Sequence, residues 1–507
     1  MSLRKSQLPG FLIYILVIFF FIFDFQDYLG REPQSIHHWR QSDGASIALN
    51  YYQHGMDFFQ PEIHFQASDN SSSGYGVGEF PILYYITAGL YHLFGPLTPI
   101  LRILNCLIFF LGIFYLFKGL KGYLESKFWA YFIITVFISS PVILYYSNNY
   151  LPNIPSLSLV FIAWYHIGKY QKNQLVKHIW LSSLFFCLAG LLKITALISF
   201  IPLVGLAIIS LLPIGKWQFF KQKTHTITAL ISVVFINFIW YKWAINYNNQ
   251  HTTSYFSTHT WPYYSLDLET INKVWEKIEL FWMQDYFYDD SYSLLKIALL
   301  LFVINLGRLK AFWTYMFSTV LIGSLIYCYL FFLNLMNHDY YIINLYILPI
   351  LLLVSIVELW KRRDSIFFRN ILFKMALICF LYYGINYGKE RLHERYYGWM
   401  NDMNLYDPLI GIEDFLRNQG IQQEDKFLVI GDPTPNTALY RMNQKGWSDL
   451  YNLAGSSQQL NDLIDNKELS YMVILSDQLL IERNYLQPFC SKIRAEYEGV
   501  KIYDLRK

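Results

Sequence analysis

Apolar residues in this chain come in long runs, separated by short polar or basic clusters. A membrane-crossing helix needs roughly 20 such residues. Runs of that kind fall at about 9–28, 98–118, 127–146, 154–169, 177–191, 194–212, 225–245, 292–306, 311–333, 340–360 and 370–387. One more apolar stretch, 80–95, could be counted, and the side on which the basic clusters lie decides against it. If 80–95 does not cross, Lys118, Lys121 and Lys127 fall on the inner side. So do Lys169, Lys172 and Lys177, then Lys216, Lys221 and Lys223, then Arg308 and Lys310, then Lys361, Arg362 and Arg363. If it crosses, all of these flip outside. The stretch is therefore predicted as an interfacial or re-entrant helix, which leaves about eleven spans and an external C-terminus.

Arg4 and Lys5 precede the first run, as in a signal peptide. No small-residue cleavage site follows, and Phe25 and Tyr28 continue it with aromatic residues, so an uncleaved first span is expected.

This topology collects the unusual polar residues in outer segments: 31–79, 146–153 (YSNNYLPN), a short connection holding Lys193, 246–292, and 334–341 (NLMNHDYY). The segment 246–292 is rich in aromatic residues, among them Tyr255, Trp261 and Tyr286. Polar residues gathered on one side of a membrane are the pattern of a single site. Beyond about Gly388 the apolar runs stop. Residues 427–431 (FLVIG) and 472–475 (MVIL) read as short buried strands and 500–505 as a third. Between the first two, 456–466 (SSQQLNDLIDN) carries helix-start chemistry and one apolar face. The expected fold is mainly α: a polytopic membrane domain over 1–387 with juxtamembrane helices, and a small extracytoplasmic α/β domain over 388–507.

Composition agrees with this. Of 507 residues, 54% are hydrophobic, 19% aromatic and only 15% charged, a departure from soluble averages in one direction. The net charge of +3 gives no sign of a nucleic-acid partner, because the basic residues sit at the ends of apolar runs. Cys106, Cys187, Cys328 and Cys379 lie inside such runs, so Cys490 has no disulfide partner in the polar tail. The cysteines show no metal spacing.

Ionisable groups beside membrane segments cost energy and mark functional sites by default. His37, His38, Arg40 and Asp43 crowd into the first outer segment, followed by a broad helical face of Ala45, Ile47, Ala48, Leu49 and Tyr52. Asp43 is thus expected near a helix start. It is a candidate general base for an acceptor hydroxyl, or an N-cap, or the partner of Arg40 three residues earlier. Glu79, ahead of Pro81, is a second acid candidate or a cap of the interfacial helix. Arg40, Lys193 and His338 are cations suited to the charge that develops on a sugar-phosphate leaving group, and Tyr340 is placed with them. Lys193, between two apolar runs (AGLLKITAL), also fits a snorkelling lysine. His38, Asn153, Asp339 and Tyr341 are candidate substrate-binding residues. An aromatic belt explains the tyrosines of HDYY, but not its His-Asp pair.

With these residues laid out, the chain resembles the GT-C glycosyltransferases. It looks like the bacterial branch of family 39, akin to protein O-mannosyltransferases and lipid A aminoarabinose transferases. HWRQSDGASIALNYY resembles the family's first outer loop with its acidic catalytic residue, here Asp43. GEFPILYYITAGLYHLFG is similar to the Pro-containing juxtamembrane helix after that loop, SPVILYYSNNYLPNIPSL to the second loop, GLLKITAL to the Lys connection, and NHDYYIINLYILP to a late outer-face motif. GDPTPNTALYRMNQKGW resembles outer domains of the same branch. In one place the chain departs: the family often has an aspartate after a proline in the second loop, and here the pair is Pro152-Asn153. The resemblance implies a polyprenyl-phosphate sugar donor, no metal and no cofactor, at the bacterial cytoplasmic membrane.

The function expected is transfer of one sugar to a glycan, lipid or protein acceptor on the outer face, by a single inverting displacement. The competing reading is a polytopic transporter or lipid-linked-sugar flippase. It predicts polar residues at mid-membrane on broken helices, with a repeat. A non-catalytic scaffold would not need Arg40, Asp43, Lys193 and His338 on one side.

Overall fold

The computed structural model describes residues 8–212, 218–253, 256, 260–398, 405–450 and 453–506. Arg4, Lys5, Lys216 and Tyr255 lie outside the described residues. The chain is mostly helical, and every apolar run named above falls on a helix. Six of the described helices are long and apolar enough to cross a membrane: Pro99–Leu124, Ile194–Leu211, Lys223–Gln250, Ala311–Leu330, Asp339–Arg362 and Ile371–Tyr397. The chain is a multi-pass membrane protein.

The run 127–146 is not one straight helix. It divides into Lys127–Ile138 and Pro141–Ser147, bent by 82°. Pro141 has no N–H to continue the first helix, and Ser140 Oγ instead caps the second, accepting from Ile143 N at 3.4 Å. Helix Ile82–Phe94 has 13 residues, about 20 Å at 1.5 Å per residue. That is short of a hydrocarbon core about 30 Å thick.

The Cα positions group into two units. The first comprises Met1–Leu29, Arg102–Tyr241 and His259–His393 and holds most of the apolar helices. Its most enclosed long helix is Asp339–Arg362, whose apolar stretch is 78% buried. The corresponding stretch of Ile371–Tyr397 is only 17% buried and turns Leu372, Met375, Ile378 and Tyr382 outward, as suits a helix solvated by lipid. At one end of this unit Lys310 meets the buried Glu358 at 2.7 Å, with Arg362 at 3.6 Å from the same oxygen, and Lys361 pairs with Glu125 at 3.1 Å.

The second unit comprises Gly30–Leu101, Lys242–Thr258 and Glu394–Lys507. Its sheet is five-stranded, with β1 (Lys426–Ile430), β2 (Gly446–Ser448), β3 (Leu469–Ile474), β4 (Ile493–Tyr497) and β5 (Val500–Asp504) in the order β2-β1-β3-β5-β4. β1 runs parallel to β2 and β3, and β5 antiparallel to β3 and β4. The core on one face includes Leu428, Ile430, Trp447, Leu460 and Met472. The free edge of β2 is covered by the polar segment before Glu79: Gly446 N donates to His64 O at 3.1 Å, and Gln66 N donates to Gly446 O at 2.7 Å. Only glycine fits here, since a Cβ on residue 446 would lie 1.8 Å from Phe427 O. Covering an edge strand removes a row of unpaired backbone groups.

Candidate functional site

The first predicted cluster is assembled in the second unit. Helix His38–Gln53 starts five residues before Asp43, and His37 takes the cap position with a left-handed backbone (φ 56°). Asp43 is therefore inside the helix and does not cap it. Its side chain is 3% exposed. Arg40, one turn back on the same face, donates from Nη1 to Asp43 Oδ2 at 3.3 Å. The Arg40 Nη2 reaches both Glu79 oxygens, at 2.8 and 3.0 Å. Glu79 is thus an ion-pair partner of Arg40; the cap position of Ile82–Phe94 belongs to Pro81.

Around these groups Gly44, Ile47, Gly78, Tyr84 and Phe256 complete the wall of a cavity of about 10 Å³. Close packing makes it small. A Cβ on Gly44 would lie 2.6 Å from the Tyr84 ring, so the glycine is what lets the two helices meet. The Phe256 ring lies 5.6 Å from the Arg40 guanidinium. Its segment is anchored by Asn248, whose side chain bonds Val77 N at 2.8 Å and Val77 O at 2.9 Å. Burial, and secondarily the Glu79 charge, raise the Tyr84 phenol well above its ordinary value.

Sequence reasoning missed the contribution of the C-terminal motif. Asn436, fully buried, donates from Nδ2 to Ser42 O at 3.4 Å and to Asp43 Oδ1 at 3.5 Å, and its Oδ1 accepts from Phe65 N at 3.0 Å. Ser42 Oγ donates to Thr437 Oγ1 at 3.2 Å. The turn is organised by Asp432, which accepts from Tyr406 OH at 2.6 Å, Thr434 N at 2.8 Å and Ala438 N at 3.0 Å. Burial pushes the Asp432 carboxyl up, more than these bonds pull it down. His38, whose Nδ1 bonds Ser35 O at 3.0 Å, lies edge-on to Tyr406 at 5.4 Å. It packs under the site and does not line the cavity.

Of the residues expected to hold a phosphate, Lys193, His338 and Tyr340 lie in the first unit, whereas Arg40 belongs to the second. Lys193 breaks the helical run between Lys177–Leu192 and Ile194–Ser199. Its Nζ stands 5.3 Å from the Tyr341 ring centre and 5.8 Å from that of Tyr340. His338 stacks on Tyr341 at 4.9 Å. Asn153 Nδ2 donates to Tyr340 O at 3.2 Å, and the fully buried Asp339 accepts from Tyr146 OH at 2.6 Å. A cation over aromatic faces, with a histidine beside it, suits an anionic group at the edge of an apolar region. Arg102 is a second omission of the sequence reading. It is fully buried, donates to Asn148 O at 2.6 Å and lies over Tyr150, so it braces the 146–153 segment. A charge at the head of an apolar run was the signal.

Among the described residues no three His, Cys, Asp or Glu converge as metal ligands. No family model and no curated protein matches the chain. Solved structures do. ArnT from Cupriavidus metallidurans in the apo state matches with a TM-score of 0.58 at 10% identity, over 99% of this chain and 98% of that one. The same protein bound to undecaprenyl phosphate gives 0.61 at 11% identity, over 99% and 98%. The arabinofuranosyltransferase AftD from Mycobacteria gives 0.59 at 12% identity, over 100% of this chain and 40% of AftD. The chain shares the fold of these proteins, in keeping with the GT-C resemblance of its loops.

Proposed function

We infer that the chain is a membrane glycosyltransferase that moves one sugar from a polyprenyl-phosphate carrier to an acceptor hydroxyl. The observation that carries this reading is the Arg40–Asp43–Glu79 group, in which Asp43 is buried and Arg40 is held between the two carboxylates. In the reaction Asp43 takes the proton of the acceptor hydroxyl, whose oxygen attacks the anomeric carbon. The bond from that carbon to the carrier's phosphate oxygen breaks, and the electron pair leaves with the phosphate. Configuration inverts. Arg40, anchored by Glu79, holds Asp43 in place and supplies positive charge as the bond breaks. To Lys193, His338 and Tyr340 we assign anchoring of the carrier phosphate. His38, Asn153, Asp339 and Tyr341 keep a supporting part in shaping the substrate sites.

Support comes from the shared fold, since ArnT is a protein solved with undecaprenyl phosphate bound. The same reading takes about eleven passes through the bacterial cytoplasmic membrane, with the first polar segment and the C-terminal part outside. The test is made with protein in detergent and a synthetic polyprenyl-phosphate sugar carrying a radiolabel. A transferase cleaves the sugar–phosphate bond and releases free lipid phosphate in step with product. A flippase leaves the lipid-linked sugar intact, and an intact donor with every acceptor tried would overturn the assignment.

A further inference from the structure

A second cavity, of about 70 Å³, opens farther along the same helix, at Asn50, Tyr51 and His54. Asp43 and Asn50 are seven residues apart, about 10 Å along the helix axis at 1.5 Å per residue. Ile47 borders the first cavity and Asn50 the second, so one helix face serves both.

The chemistry of this second cavity differs from that of the first. Its floor is Asn50, 3% exposed, and Glu62, 9% exposed. Asn50 Nδ2 donates to Ser46 O at 3.0 Å and Glu62 O at 3.1 Å, which fixes the amide. Its Oδ1 accepts from nothing among the described residues. A buried acceptor left without a donor is uncommon in folded proteins, and a ligand hydroxyl is a donor of the right kind. Glu62 is held by Lys445 Nζ at 2.8 Å and by His54 Nδ1 at 3.6 Å. Tyr51 and Tyr75 add aromatic walls, and Asp57 stands at the mouth. No lysine or arginine is in the lining, and the nearby Lys445 ammonium is already paired with Glu62, so the lining favours a neutral ligand over a phosphate or a carboxylate. Amide and carboxylate oxygens beside aromatic faces match a neutral ring with hydroxyls on its edge and C–H groups on its face.

We propose that this cavity is an acceptor subsite that holds a sugar unit next to the one receiving the transfer, so that the acceptor is a glycan and neither a peptide nor a lipid. The proposal rests on the transferase reading above and narrows its substrate class. The exposed residues at the mouth, His54 and Asp57, are the ones to change, because Asn50 also holds the loop together.

The experiment uses the full chain in nanodiscs and has two arms. In the first, binding of maltotriose, cellotriose, mannotriose and chitotriose is measured by titration calorimetry on Asp43→Asn protein, which needs no turnover. At least one trisaccharide should bind, and His54→Ala and Asp57→Asn should each weaken it about tenfold. In the second, transfer from the polyprenyl-phosphate donor is followed with that trisaccharide and with the matching monosaccharide glycoside. The trisaccharide should have the lower KM, and the two variants should erase that preference while kcat and the donor KM stay put. Binding of none of the four, or binding unchanged in both variants, overturns the subsite even where the donor is cleaved. Saccharide binding lost in the variants with no donor cleavage by any protein would instead sink the transferase reading and leave the binding site standing.

Discussion

At the scale of the residue the argument turns on Asp43. Asparagine at this position keeps the size and one acceptor oxygen, so it can retain the contact to Arg40 or to Asn436 but not both, and it cannot take a proton. Asp43→Asn should therefore lower kcat about 10²–10⁴-fold with little change in donor affinity and an unchanged melting temperature. Near-normal turnover would remove Asp43 from the chemistry. Glu79→Gln answers a different question, because Glu79 touches Arg40 through both oxygens. Lys193→Ala should weaken donor binding roughly ten- to hundredfold, the equivalent of losing a charge-assisted contact of about 1.5–3 kcal/mol. Unchanged donor affinity would make Lys193 a snorkelling lysine. The Arg40–Asp43 pair was legible because a spacing of three puts both on one helical face. Asn436 was not, since 393 positions separate it from Asp43 and no periodicity links them.

At the scale of the element, two devices tie the loop before Glu79 to the C-terminal motif. Asn436 is one. Asn436→Ala removes a donor to the Asp43 carboxylate, so kcat should fall about five- to tenfold, as for one hydrogen bond of about 1–1.5 kcal/mol. The acid limb of the pH profile should also move upward, because the charged form loses a partner. A purely structural residue would leave that limb in place. His64 is the other: Nδ1 meets Ser46 Oγ at 2.6 Å and Nε2 meets Asn443 Oδ1 at 3.0 Å. Because Asn443 Nδ2 is turned to Glu413, its oxygen faces His64, so Nε2 donates and Nδ1 accepts from the serine hydroxyl. The ring is thus neutral, and burial lowers its pKa from 6.5 to about 4. Between those values the unfolded chain takes up a proton that the folded one refuses, so stability falls as pH drops from about 6.5 to 4, by about 3 kcal/mol in all. Burial raises the Glu62 carboxyl, but its contacts with His54 and Lys445 outweigh it and lower its pKa, so its contribution is lost at more acid pH. Melting of wild type and His64→Gln between pH 4 and 7 checks this: the variant should start lower and lose less on acidification, and parallel curves would refute it.

The strands show what pattern can and cannot give at this scale. β1, β3 and β5 were readable as apolar runs. β2 has three residues and β4 a half-exposed IRAEY sequence, so both form because neighbours offer an edge. The break at Pro141 was in plain view inside an apolar run, and hydropathy alone passed over it.

At the scale of the whole molecule the direction of insertion is the property that hydropathy patterning addresses best. Six of the described helices are long and apolar enough to cross a bilayer, and other expected spans fall on shorter or bent helices, so length cannot fix orientation. The basic residues can, because the rule counts lysines and arginines and not net charge. Lys310 and Arg362 still count although Glu358 pairs with both. Two engineered cysteines make the test. Asn173→Cys sits at the end of Asn153–Asn173, beside Lys172, and Gln458→Cys lies exposed on helix Ser457–Lys467. With a membrane-impermeant maleimide on spheroplasts, Gln458→Cys should label at once and Asn173→Cys only after the membrane is opened. The native Cys106 and Cys187 are buried, and Cys328 and Cys379 sit within apolar helices, so the signal should come from the engineered positions and from Cys490. Labelling of Asn173→Cys in sealed spheroplasts would invert the molecule. It would put the Arg40–Asp43–Glu79 group on the cytosolic face and rule out an acceptor in the cell envelope.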